Sequence, residues 1–144
     1  MFKKLLALFF MFPLCFIYSC KPTEFSANEP DETEEPAQQA VYQKITGEQA
    51  KIMMEENEQY ILLDVRTDDE FTANRIEGAI LIPDYEILYR AEVDLPDKDA
   101  LILIYCRTGR RSANVAHELL EMGYTNVYDF GGITTDWDYD TISG

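Results

Sequence analysis

From residue 41 onward, apolar residues come in short blocks set between amphipathic stretches, and that alternation predicts an α/β domain over residues 41–144. Tyr60-Ile61-Leu62-Leu63-Asp64-Val65 and Leu101-Ile102-Leu103-Ile104-Tyr105 are nearly unbroken apolar runs, the pattern of strands covered on both faces. The second is the more apolar, so it is expected at the centre of the sheet. Residues 41–45, 79–82 and 127–128 supply three shorter strands, for five in all. Thr46 with Gln49 and Thr67 with Glu70 have the spacing of capping boxes, which predicts helices over 46–56 and 67–73. Pro83 stops the third strand, a short helix is expected over 85–90, and a longer one over 112–122 ends at Gly123. Gly131-Gly132 is read as a turn before a final helix near Trp137. Strands separated by helical crossovers pair in parallel, which gives a mainly parallel sheet.

The first 40 residues follow a different pattern. Met1-Phe2-Lys3-Lys4 is a short basic start, and an apolar run from Leu5 to Tyr18 ends in Ser19-Cys20. This is the layout of a signal peptide, and the run falls short of the ~20 residues that span a bilayer. Ile17-Tyr18-Ser19-Cys20 resembles the bacterial lipobox, in which the cysteine is lipidated and becomes the new N-terminus; Cys15, preceded by bulky Leu14, fits less well. The expectation is a leader over 1–19, a lipid (palmitate among its acyl chains) on Cys20, and a cell-envelope protein held at the membrane and facing the periplasm or exterior. Residues 21–39 hold three prolines and six acids and no aliphatic side chain larger than alanine, so 20–40 is read as a disordered acidic tether.

Charge and cysteine count narrow the function. Losing Lys3 and Lys4 with the leader takes the formal net charge from −15 to −17, which disfavours nucleic acid as a partner. With Cys15 removed and Cys20 acylated, Cys106 is the one remaining thiol, so no structural disulfide forms in the mature domain. One histidine, His117, and one free thiol cannot furnish a structural zinc site, and no metal or other cofactor is expected.

The chemistry concentrates in Cys106-Arg107-Thr108-Gly109-Arg110-Arg111-Ser112, between the most apolar strand and a well-marked helix. Sites in open α/β sheets gather at the carboxyl ends of strands. A loop curled at a helix N-terminus aims N–H groups at a common centre, and three of the ten basic residues of the mature chain lie in this window. Both effects favour a thiolate and lower a cysteine pKa. Gly109 is placed where the loop needs a positive φ.

This segment resembles the Cys-x-x-Gly-x-Arg-Ser active loop of single-domain rhodaneses, the sulfurtransferase family. Asp64-Val65-Arg66, Glu70-Phe71, Ile76-Glu77-Gly78-Ala79 and Gly131-Gly132 with Trp137 resemble the family's other motifs in order, while Arg75 stands where the family usually has histidine. The resemblance implies a three-layer α/β sandwich with a central parallel sheet. It also implies a cycle in which Cys106 takes a sulfane sulfur from a small anionic donor such as thiosulfate and hands it to cyanide or a thiol, including a protein thiol. Carried over, Cys106 is the nucleophile and Arg111 braces its loop. Arg107, Thr108, Gly109, Arg110 and Ser112 form the substrate cradle, Arg107 and Arg110 facing outward. Asp64 and Arg66 are expected in a structural role behind the site, with a substrate contact at the site mouth as the other place for Arg66, and Glu70 as a cap or an arginine's partner. His117 is expected as an ordinary helix-face residue, and Trp137 as packing. The domain is expected to act as a monomer.

Three other readings compete, and the first, a redox relay through Cys106, lacks a neighbouring resolving cysteine. Cysteine-dependent phosphatases and arsenate reductases use Cys-x5-Arg, and Cys106 to Arg111 is Cys-x4-Arg. One residue adds at most ~3.5 Å of contour, so this ring is about 1 Å narrower and suits one outer sulfur better than a tetrahedral oxyanion. A rhodanese-fold module that binds or senses without turnover is the main alternative, and the retained cysteine argues against it.

Overall fold

The computed structural model of the chain describes Ala40 and residues 42–144. The leader, the lipidation of Cys20 and nearly all of the tether therefore lie outside the described residues. Five strands, β1 (Gln43–Lys44), β2 (Ile61–Asp64), β3 (Ile80–Leu81), β4 (Ile102–Cys106) and β5 (Val127–Gly132), form one sheet in the order β1-β5-β4-β2-β3. All pairings are parallel. Four helices connect them: α1 (Gly47–Glu56), α2 (Asp68–Ala73), α3 (Ile87–Asp94) and α4 (Arg110–Glu121).

The period of two along the central strand divides the core. Ile102, Ile104 and Cys106 pack on one face with Ile87 and Ala91 of α3 and Val115 and Leu119 of α4. Leu103 and Tyr105 pack on the other with Ala50 of α1, Phe130 and Trp137. Every residue of β4 is buried, as its composition predicts, and the result is a three-layer α/β sandwich. Both capping boxes form: Thr46 and Gln49 close on one another at the start of α1, and Thr67 and Glu70 do so at the start of α2.

Three expectations need correction. The helix predicted over 85–90 is a 3₁₀ turn at Asp84–Glu86 followed by α3, which runs on to Asp94. Ile87, Ala91 and Leu95, spaced by four and each 0 % exposed, extend the buried stripe beyond Arg90. Gly131-Gly132 does not form a turn after a two-residue strand. It ends β5, which slips register opposite Ile104 and Tyr105, with Gly131 at φ 94° and its N–H bonded to Asp129 Oδ1 at 2.9 Å. No helix forms near Trp137 either. Thr135 and Asp136 both donate their N–H to the Gly132 carbonyl, and the Asp136 carboxylate takes the Gly132 N–H at 2.8 Å, which closes a turn in place of a helix.

A candidate active site at the carboxyl end of the central strand

Cys106 is the last residue of β4, and Gly109, at φ 92°, turns the chain into α4 one residue later. The loop has a definite inside and outside because its carbonyls are engaged elsewhere. Cys106 O accepts from Ile133 N at 2.9 Å, and Arg107 O accepts from Thr134 N at 3.2 Å and Thr134 Oγ1 at 2.7 Å. Gly109 O accepts from Ala113 N and from the Ser112 hydroxyl. With the carbonyls facing outward, the amides face the sulfur, and Gly109 N–H donates to Cys106 Sγ at 3.1 Å.

The thiol is 1 % exposed, and burial alone pushes its pKa up. Hydrogen bonds from Ser112, Thr108 and Gly109 overcome that, so the pKa is held below the ordinary thiol value. The Ser112 hydroxyl has one proton and several acceptors: Gly109 O at 3.1 Å, Gly131 O at 3.2 Å, and the sulfur once it is charged. The Ser112 N–H contributes most to holding the charged sulfur, followed by the Ser112 hydroxyl and the Thr108 and Gly109 amides.

Arg111 reaches across to α2, where one terminal nitrogen lies 2.8 Å from both Glu70 oxygens. Glu70 thus fills both roles expected of it, closing the Thr67 cap and pairing an arginine. Burial works to raise its carboxyl pKa, and the Thr67 N–H and Arg111 hold it below the usual range. The guanidinium feels the Cys106 charge, but Glu70 cancels much of its field, so Arg111 acts on the thiolate less than the loop amides do. Arg107, Thr108 and Arg110 are exposed, and with Glu70 and Arg111 they line an open cavity of about 410 Å³ over the loop. Three arginines against one glutamate make it an anion-attracting mouth.

Arg66 takes the structural place expected of it with Asp64. It is 2 % exposed, its guanidinium forks onto Asp64 at 2.6–3.0 Å, and its remaining donors reach Asn74 Oδ1 and Asn74 O. With its donors so engaged it holds β2 to the end of α2, and it borders a small cavity of about 180 Å³ beside the loop with Glu70, Asn74, Arg107 and Thr134; Asp64, 0 % exposed, is its buried counter-charge. Arg75 braces the C-terminus through Gly144 O and the antiparallel bridge to Ile142. His117 is exposed on α4 and stacks on Tyr42 with centroids 4.5 Å apart, as a helix-face residue would. Trp137 packs against Phe130.

The second wall of the site was missed in the sequence. Residues Ile133 and Thr134 hold the loop carbonyls, Asp136 holds Gly132, and Asp129, paired with Lys44 at 3.0 Å and Tyr42 at 2.7 Å, fixes Gly131. The one available signal was the adjacent glycine pair, which marks a place where another backbone approaches closely.

The sequence model of the family described as Rhodanese-like domain matches residues 46–139. Among curated proteins, the chain is 38 % identical over 71 residues to the thiosulfate sulfurtransferase PspE of Escherichia coli K12, covering 49 % of this chain and 68 % of that one. It is 34 % identical over 96 residues to the thiosulfate sulfurtransferase GlpE of Haemophilus influenzae, covering 67 % and 88 %. Among solved structures, a rhodanese with anions from E. coli superposes with a TM-score of 0.52 at 35 % identity, over 59 % of this chain and 99 % of that one. A protein of Staphylococcus saprophyticus superposes at 0.59 with 28 % identity, over 69 % and 98 %.

Proposed function

The chain belongs to the rhodanese-like family, and from that premise we propose that it is a sulfurtransferase working through a persulfide on Cys106. The observation that carries this reading is the nucleophile loop, whose amides surround Sγ at the head of α4 beneath an arginine-lined mouth. In the first half-reaction the Cys106 thiolate attacks the outer sulfur of thiosulfate, the S–S bond breaks, and sulfite leaves with the electron pair. In the second, cyanide or a thiolate attacks the outer sulfur of the persulfide and the Cys106 thiolate is released. Sγ is negative at the start and end of the cycle, and the outer sulfur carries the charge between, so one set of inward N–H donors serves both states. Arg107 and Arg110 draw the anionic donor in, and Arg111 holds the loop to α2. No cofactor is required.

The test is Cys106→Ser, which is nearly isosteric but lacks a sulfur able to carry another. Thiosulfate:cyanide transfer is expected to vanish while the circular dichroism spectrum is kept; turnover in the purified variant would overturn the mechanism. We further propose that the chain works as a monomer in the cell envelope, anchored by a lipid on Cys20, as the Ile17-Tyr18-Ser19-Cys20 ending supports. Cys20→Ala is expected to lose the lipid mass and leave the membrane fraction. Unchanged mass and partitioning would reject the anchor.

A further inference from the structure

Eight large apolar side chains are exposed among the described residues, and the four most exposed fall within nine consecutive positions: Tyr85 at 61 %, Leu88 at 66 %, Tyr89 at 65 % and Val93 at 77 %. Their spacing of three, four and eight residues puts them on one side of α3 and the turn before it. The opposite side is already used, since Ile87, Ala91 and Leu95 are fully buried. A surface helix normally keeps a polar outer face, and four exposed apolar side chains on one side of it, interrupted only by Glu92, mark an interaction surface on a strongly acidic chain.

The position of this face ties it to the nucleophile. The 3₁₀ turn that carries Tyr85 packs against α4, whose first turn forms the anion cradle. Asp84 N–H donates to Val65 O at 3.2 Å, and Val65 N–H to Tyr105 O at 3.1 Å, so the face starts one strand away from Cys106. Asp84 is also close enough to Arg111 to act on its charge. Acids border the face: Asp68, Asp84 and Glu86 lie near Tyr85, Asp94 follows Val93, and Glu92 stands within the face between Leu88 and Tyr89. Arg90 is shared between Glu86 and Asp94, and Lys98 pairs with Glu92, which leaves the rim negative. The stripe is about 12 Å long at ~1.5 Å per helical residue, more than a small sulfur donor can cover.

We propose that the outer face of α3 docks a protein whose own apolar patch is ringed by lysine or arginine and which presents the acceptor thiol to the Cys106 persulfide. The proposal rests on the sulfurtransferase reading. In the docked pair the partner's thiolate attacks the outer sulfur, the Sγ–S bond breaks with its electrons returning to Sγ, and the partner carries the persulfide away. No oxidant or reductant is needed.

The test uses the full chain and a synthetic amphipathic helical peptide with a leucine face, a lysine rim and one terminal cysteine. A second peptide has every lysine replaced by glutamate. After loading with thiosulfate, sulfur arriving on each peptide and on free cysteine is followed by mass, and peptide binding is followed separately by fluorescence anisotropy, which needs no sulfur chemistry. The lysine peptide is expected to accept sulfur at least tenfold faster than free cysteine and the glutamate peptide no faster. The double variant Leu88→Ser, Val93→Ser is expected to cut both binding and transfer to the lysine peptide at least fivefold while leaving thiosulfate:cyanide turnover unchanged. A lysine peptide that neither binds nor gains rate, or a gain that survives the double variant, overturns the proposal. So does sedimentation showing a dimer that the double variant dissolves, or Leu88-dependent flotation with phosphatidylcholine vesicles, because the face then belongs to another occupant. Loss of cyanide turnover in the wild type would strike the sulfurtransferase reading instead, and anisotropy would still judge the surface.

Discussion

Gly132→Ala tests whether the nucleophile loop is held from beneath by the end of β5. A Cβ at this position would lie 2.5 Å from Arg107 O, 2.5 Å from Thr108 Cα and 2.5 Å from Thr135 Oγ1. Ordinary contact begins near 3.4 Å, so the neighbours must retreat by about 0.9 Å. The Thr135 side chain can rotate away. The Arg107–Thr108 backbone cannot, because Arg107 O is tied to Thr134 N and Oγ1, and moving it moves the amides around Sγ. Overpacking of this kind costs ~1–3 kcal/mol. At about 4–8 °C per kcal/mol for a domain of ~100 residues, a loss of ~2 kcal/mol lowers Tm by roughly 8–16 °C. A displacement near 1 Å at the reacting centre costs on the order of 10²-fold in rate. The assay pairs thermal unfolding with thiosulfate:cyanide kinetics and the pH dependence of iodoacetamide alkylation, which reports the Cys106 pKa. Gly78→Ala is the control: at φ 82° with nothing within 4 Å of its Cβ, it is strained but touches no loop, so it should lose about 1 kcal/mol and keep full turnover. If Gly132→Ala keeps wild-type Tm and turnover, the loop does not rest on β5.

Other expected outcomes follow from the charges around the loop. Arg111→Ala should raise the alkylation midpoint and lower turnover at every salt concentration, because it frees the loop from α2 and leaves Glu70 uncompensated; Arg110→Ala should weaken thiosulfate binding in a way that fades with salt, as expected for an exposed charge screened over ~8 Å. Glu70→Gln keeps a residue that can close the cap but uncovers Arg111, so the alkylation midpoint should fall below that of wild type. The Glu70 carboxyl pKa is depressed in the folded state, so its contribution to stability is present above the ordinary carboxylate pKa and lost as pH falls through the folded value; acid unfolding of Glu70→Gln should show a correspondingly smaller loss. Asp64→Ala strands a guanidinium that is 2 % exposed and should cost about 3–5 kcal/mol, read as a drop in the urea midpoint.

The sheet was legible because parallel strands buried on both faces leave unbroken apolar runs, as in residues 101–105, and because Thr-x-x-Gln and Thr-x-x-Glu announce helix starts locally. The cradle was legible for the same reason: its strand, glycine and helix are contiguous in the chain. The pairing of Arg111 with Glu70 spans 41 residues, and sequence spacing could name each partner only in general terms. The buried pair of Asp64 and Arg66 was legible from their spacing of two, whereas the further bonds of Arg66 to Asn74 depend on the approach of the end of α2, which no local pattern encodes. The support from residues 131–136 went unseen for a related reason. Asp129 and Asp136 bond to backbone N–H groups near them and turn apparent turn and helix signals into a bulged strand end and a closed turn.

Whether Cys106 carries a sulfur atom is read from the intact mass of the protein after incubation with thiosulfate. The expected result is a species heavier by one sulfur atom, removed by cyanide or dithiothreitol, confined by peptide mapping to Cys106 and absent from Cys106→Ser. A wild-type protein whose mass stays unchanged at saturating thiosulfate, or whose added sulfur persists in Cys106→Ser, contradicts it.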